Sequence, residues 1–149
     1  MGEFALTRCA GILQADGGPC PIIAIFRPDV QLGALLHVYG GDAEVDGDNH
    51  EELINKLLDI EGTIVEGAIC HVFLDETPIP GLMKPEYETA QVQTRRSFAI
   101  KIQEYLESKG FNKVTVVFNG IGKAVVLDTV NSKVLSYDDY NNISFKHVY

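Results

Sequence analysis

Long apolar runs are missing from this chain of 149 residues. None approaches the ~20 consecutive apolar residues that a membrane-spanning helix needs. The opening stretch, MGEFALTRCAGILQ, has no basic cluster ahead of an apolar core, so it does not read as a signal peptide. Leu6 stands where a myristoylation signal requires Ser or Thr. Positive charge is scarce: 12 Lys and Arg face 21 Asp and Glu, for a net charge of −9. A phosphate-binding surface needs the opposite balance, so nucleic acid is not an expected partner, and anionic lipid is disfavoured for the same reason. Cysteine is sparse and odd in number. Cys9, Cys20 and Cys70 show no evident pairing, which reads as a reduced, cytoplasmic chain. Internal repeats, low-complexity segments and linkers are absent too, which predicts one domain over residues 1–149.

What is present is a chain of short strand patterns with two helical ones. Residues 4–14 alternate weakly and predict a first strand. The run PIIAIF (21–26) is almost wholly apolar and reads as a strand buried on both faces. RPDVQLG (27–33) holds Pro28, Asp29 and Gly33, which are turn residues, and ALLHVY (34–39) is the returning strand. An acidic loop, GGDAEVDGDN (40–49), leads to a helix from His50, capped by Asp48 or Asn49 and striped by Leu53, Ile54, Leu57 and Leu58. A strand over 67–76 places Ala68, Cys70, Val72 and Leu74 on one face. A second helix, about 86–109, carries Phe98, Ile102, Tyr105 and Leu106 and stops at Gly110; a solvated face accounts for Arg95 and Arg96. Three antiparallel strands are expected over 113–119, 122–129 and 133–139, with a further edge strand in YNNISFKHVY. Strands thus outnumber helices without the alternating βαβ pattern, so the expected class is α+β, with sheet packed on sheet or on helices.

Cys20 and His37 lie on the two arms of the 21–39 hairpin, and they are where chemistry is expected. Cysteine catalysis needs a thiolate, a base to form it, and donors for an oxyanion. Gly17 and Gly18 let the backbone turn tightly ahead of Cys20 and offer N–H groups near its sulfur. A hairpin can bring His37 into register with Cys20, and a shared face would let the imidazole take the thiol proton. The same residues also suit a packed core, where cysteine behaves as a small hydrophobe and a strand histidine is simply accommodated. Cys9, Cys20, His37, Cys70 and His71 match no standard zinc-ligand spacing, so no metal or other cofactor is expected. Cys70 and His71 are adjacent and must point to opposite faces of a strand. NGIGK (119–123) lacks the spacing of a phosphate loop and reads as a hairpin turn. The acidic loop does not complete a calcium-binding pattern.

The order "G-x-C", apolar strand, "F-R-P-D", "L-G-x-L-x-H" resembles the chemoreceptor glutamine deamidase family, CheD. That family has Gly-Ser-Cys, an apolar strand, a turn, and a strand ending in His. The spacing from Cys20 to His37 is the same. QVQTRRSFAIKIQEYLESKGF (91–111) is similar to the family's penultimate helix, and NGIGKAVVLDTVNSKV (119–134) to its closing strands. The resemblance follows the element order over most of the chain, but residue identity is low outside the hairpin. Pro19 replaces the family's Ser before the nucleophile, and Gln14 occupies the position of its third catalytic residue, a Thr. FLDETPIP (73–80) replaces the glycine-containing strand end expected after the first helix. A similar Cys–His core is found in cytotoxic necrotizing factor toxins and protein N-terminal asparagine amidohydrolases.

The resemblance implies a layered α/β sandwich with mostly antiparallel strands and two main helices. It also implies a cofactor-free amidohydrolase acting on Gln or Asn side chains of a protein substrate. Cys20 would be the nucleophile and His37 the base, with Gly18 and Pro19 forming the oxyanion turn. Gln14 would assist the oxyanion, orient His37, or simply be a solvated strand-end residue. Two alternatives accompany this reading: an effector-type deamidase of a host protein delivered by specialised secretion, and a non-catalytic binding domain on the same scaffold.

Overall fold

The computed structural model describes residues 3–7, 12–15, 21–38, 49–60, 65–75, 85–119, 125–131 and 133–136. Eight strands and two helices lie within them: β1 (Glu3–Thr7), β2 (Ile12–Ala15), β3 (Ile22–Arg27), β4 (Leu32–His37), α1 (Asn49–Ile60), β5 (Ile69–Asp75), α2 (Pro85–Ser108), β6 (Val114–Asn119), β7 (Val125–Asp128) and β8 (Lys133–Ser136). The strands form a five-stranded sheet in the order β1-β4-β3-β5-β6 and a three-stranded sheet in the order β2-β7-β8. All pairings are antiparallel except β5 with β6. The expected α+β class is observed.

Burial of β3 on both sides sets the layers. Ile23 and Ile25 join Leu36, Val72, Leu74, Ile54 and Ile102 in a core between the five-stranded sheet and the helices. Ile22, Ala24 and Phe26 join Leu35, Phe73, Val125 and Leu127 in a second core between the two sheets. A strand with no solvent face needs no polar alternation, which is why PIIAIF reads as a continuous apolar run. The helices close the other side. Tyr105 Oη donates to Asn55 Oδ1 at 2.8 Å, joining α2 to α1, and Gln103 Nε2 donates to the Val114 carbonyl at 2.9 Å, joining α2 to β6. Gly110 ends α2 with φ +104°. Its N–H donates to the Glu107 carbonyl and the Phe111 N–H to the Leu106 carbonyl, a paired arrangement that satisfies the last turn and turns Phe111 into the core.

Several expectations are corrected. The strand expected over 4–14 is two strands, β1 and β2, which belong to different sheets. The strand at 114–119 does not pair with the one that follows. It lies parallel to β5 through the α2 crossover, so one βαβ unit is present after all. The pattern of apolar residues reports burial, and it does not report which strand is the neighbour. Gly33 is not in the turn. It lies inside β4, where an added Cβ would come within 2.7 Å of Leu127 Cδ2 and 2.9 Å of Thr129 Cγ2. Arg96 is exposed, but Arg95 is buried, because it shares the inward stripe of α2 with Phe98, Ala99 and Ile102. The predicted C-terminal strand and the 40–48 loop fall outside the described residues.

The β7–β8 turn is organised by Asp128. Its fully buried carboxylate accepts from the Val130 N–H at 3.0 Å, the Asn131 N–H at 3.1 Å and Asn131 Nδ2 at 2.7 Å. These bonds take the place of water around the charge and fix the turn beside Gly33.

Candidate functional site

The β3–β4 hairpin carries the candidate histidine at its open end. Cα partners run from Arg27 with Leu32 to Ile22 with His37, and the Val38 N–H donates to the Pro21 carbonyl at 3.0 Å. Pairing therefore reaches the residue immediately after Cys20. Proline suits this first position because it has no N–H to leave unpaired. The residue directly across from His37 is Ile22. Cys20, Gly18 and Pro19 lie outside the described residues.

Alternation along β4 puts His37 on the same face as Leu35, and the register adds Ile22 to that face. This is the face that packs against the three-stranded sheet. His37 is partly buried, and its Nε2 is fully enclosed. It is the last residue of β4, followed by the buried Val38.

Gln14 lies in β2 with Val126 as its partner. Its neighbours Leu13 and Ala15 pair with Leu127 and Val125, which are part of the inter-sheet core. Gln14 thus occupies the alternate position of its strand. One residue that sequence reasoning missed stands closer in register: Glu3, on β1, is the partner of His37 on its other side. No local signal marks it, because the two residues belong to strands far apart in the chain.

Cys70 and His71 take opposite faces of β5, as adjacency required. Cys70 lies wholly in the helix-side core, where burial pushes its thiol far above the ordinary range and leaves it protonated and unreactive. His71 shares the inter-sheet face with Phe73, their ring centroids 6.0 Å apart. Its Nδ1 is buried with no hydrogen-bond partner among the described residues. Burial lowers its pKa below the ordinary 6.5, because a charged ring would lose hydration there.

A pH dependence follows. Below about 6.5 the unfolded chain protonates His71 while the folded chain resists, so stability is full above that pH and falls as pH drops through the folded value. Urea midpoints of wild type should fall between pH 7 and pH 5, and His71→Gln should fall less. Equal falls in both would remove His71 from the account.

Among the described residues no group of three or more His, Cys, Asp or Glu is placed to hold a metal ion, and no helix is long and apolar enough to cross a membrane. A search of the chain against models of protein families finds no match, and a search of curated proteins finds none either.

Proposed function

We propose that this chain is a cysteine-dependent amidohydrolase that deamidates Gln, or Asn, side chains of a protein substrate through Cys20 and His37. The supporting observation is the hairpin ladder, which continues past the Ile22–His37 pair to Pro21 and Val38. Two peptide units hold the Cys20 α-carbon within about 7.6 Å of that of Ile22, whatever their conformation. Ile22 is itself the cross-strand partner of His37. In the sequence Cys20 is thus two residues from the residue that faces His37 across the hairpin. Cys70 is not a competing nucleophile, being sealed in the helix-side core.

The chemistry divides into two steps. His37 takes the thiol proton, and the Cys20 thiolate attacks the carboxamide carbon to form a tetrahedral oxyanion. Backbone N–H groups around Gly18 and Cys20 would stabilise this oxyanion; Pro19, having no N–H, cannot contribute one. Protonated His37 gives its proton to the departing ammonia, leaving a thioester. Water deprotonated by His37 then hydrolyses the thioester, regenerates the thiol and leaves Glu or Asp.

Selective alkylation tests the pair. Iodoacetamide labelling is followed by peptide mass spectrometry from pH 5 to 9. Cys20 should react at pH 6 roughly tenfold faster in wild type than in His37→Ala, as a thiol whose pKa is lowered by about one unit would. Cys70 should stay unlabelled in the folded protein. A Cys20 rate indifferent to His37 would reject the pair and leave a packed hairpin or a binding domain.

A further inference from the structure

The register row through His37 crosses the whole five-stranded sheet: Glu3, His37, Ile22, Phe73 and Val117. Its members other than Glu3 and His37 are apolar. Two residues along in one direction, the row has His71 as its ionisable member, and two along in the other, the row holds Asp75 paired with Asn119. Asp75 lies on β5, separated from β4 by β3, and so about 10 Å from the His37 strand. The core residues that the three-stranded sheet brings to this layer, Val125 and Leu127, carry no charge. Among the described residues, Glu3 is therefore the carboxylate whose strand adjoins that of His37 at the same level.

Directly opposed residues of an antiparallel pair have Cβ atoms about 4.5–5.5 Å apart and share a face. That range suits interaction between a carboxylate and an imidazole. A Cys–His pair works only if its histidine holds a proton while the thiolate is formed, and a third group commonly orients and stabilises that imidazolium.

We propose that Glu3 is a positioning residue for His37, stabilising its imidazolium and so keeping the Cys20 thiol ionised. The catalytic meaning rests on the amidohydrolase reading, whereas the Glu3–His37 coupling stands on the strand register alone. The experiment separates the two. His37 ring protons are titrated by NMR in wild type, Glu3→Gln and Glu3→Asp, and Cys20 alkylation at pH 6 is measured in the same proteins. Gln matches Glu in shape at the first residue of an edge strand, and Asp keeps the charge.

In Glu3→Gln the His37 titration midpoint is expected to fall by about one pH unit, with Cys20 alkylation slowed about tenfold. Glu3→Asp should recover a large part of both. An unmoved midpoint in Glu3→Gln overturns the proposal, whatever Cys20 does. A midpoint that falls equally in Glu3→Asp also overturns it, because the charge would then not be the agent. If the midpoint moves only in Glu3→Gln, the coupling is upheld. An alkylation rate that ignores His37 altogether then counts against the amidohydrolase reading and the catalytic role, not against the coupling.

Discussion

Cys20→Ser is expected to abolish deamidation, lowering turnover by about a thousandfold or more. Serine keeps the shape but replaces a polarisable thiolate with a hydroxyl that His37 alone cannot ionise near neutral pH. Wild-type protein incubated with cell extracts should produce one-dalton mass gains at particular glutamines or asparagines, and these should be missing with Cys20→Ser. His37→Ala should fall within about 10²- to 10⁴-fold of wild type, the usual contribution of a general base. Losses that large are read easily against a background of spontaneous deamidation. Mass gains that persist undiminished in Cys20→Ser would place the chemistry elsewhere or nowhere in this chain. Extracts in which wild type produces no gains, but from which wild type and Cys20→Ser retain the same proteins, would favour a binding domain.

The parts of the fold that were legible in the sequence are those where a residue's own burial decides its type. PIIAIF announced a strand covered on both sides, and the structure covers it with helices on one face and a second sheet on the other. Gly110 announced the end of α2 because only a residue at ease with φ near +104° closes the helix that way. What the sequence does not carry locally is partnership. Nothing in VTVVFN says that it runs parallel to β5 rather than antiparallel to the strand after it. Nothing in EFALT and ILQA says that these neighbouring segments enter different sheets.

The same division runs through the site. His37 could be named as a candidate from the sequence, because it stands on an apolar strand seventeen residues after Cys20, although a packed core suits the same residues. Glu3 could not, since its place across from His37 exists only once β1 is laid against β4 in a particular register. Arg95 shows the converse error. Charge suggested a solvated position, while the helical period assigned it to the buried stripe. Periodicity was the stronger guide there, because α2 must cover the sheet with whichever residues fall on that side.

Gly33→Val is expected to destabilise the fold by about 3 kcal/mol, near the upper range for overpacking a closed core. That corresponds to roughly 10 °C in Tm for a domain of this size. Gly33 lies outside the left-handed region, so its backbone would accept any residue and the demand for glycine is spatial. The Cβ alone would meet Leu127 Cδ2 at 2.7 Å and Thr129 Cγ2 at 2.9 Å. Both residues are fully buried, and Thr129 adjoins the turn fixed by Asp128, so neither can simply swing outward. The two sheets would have to separate where Gly33 of β4 faces Leu127 of β7, only four residues along β4 from His37. Leu127→Ala tests this cause directly. Alone it should cost about 2–5 kcal/mol through the cavity it leaves. Combined with Gly33→Val it should cost at least about 1 kcal/mol less than the sum, because the valine enters the vacated space. Additive losses, or a Gly33→Val melt within about 2 °C of wild type, would show that the sheets are not in contact there.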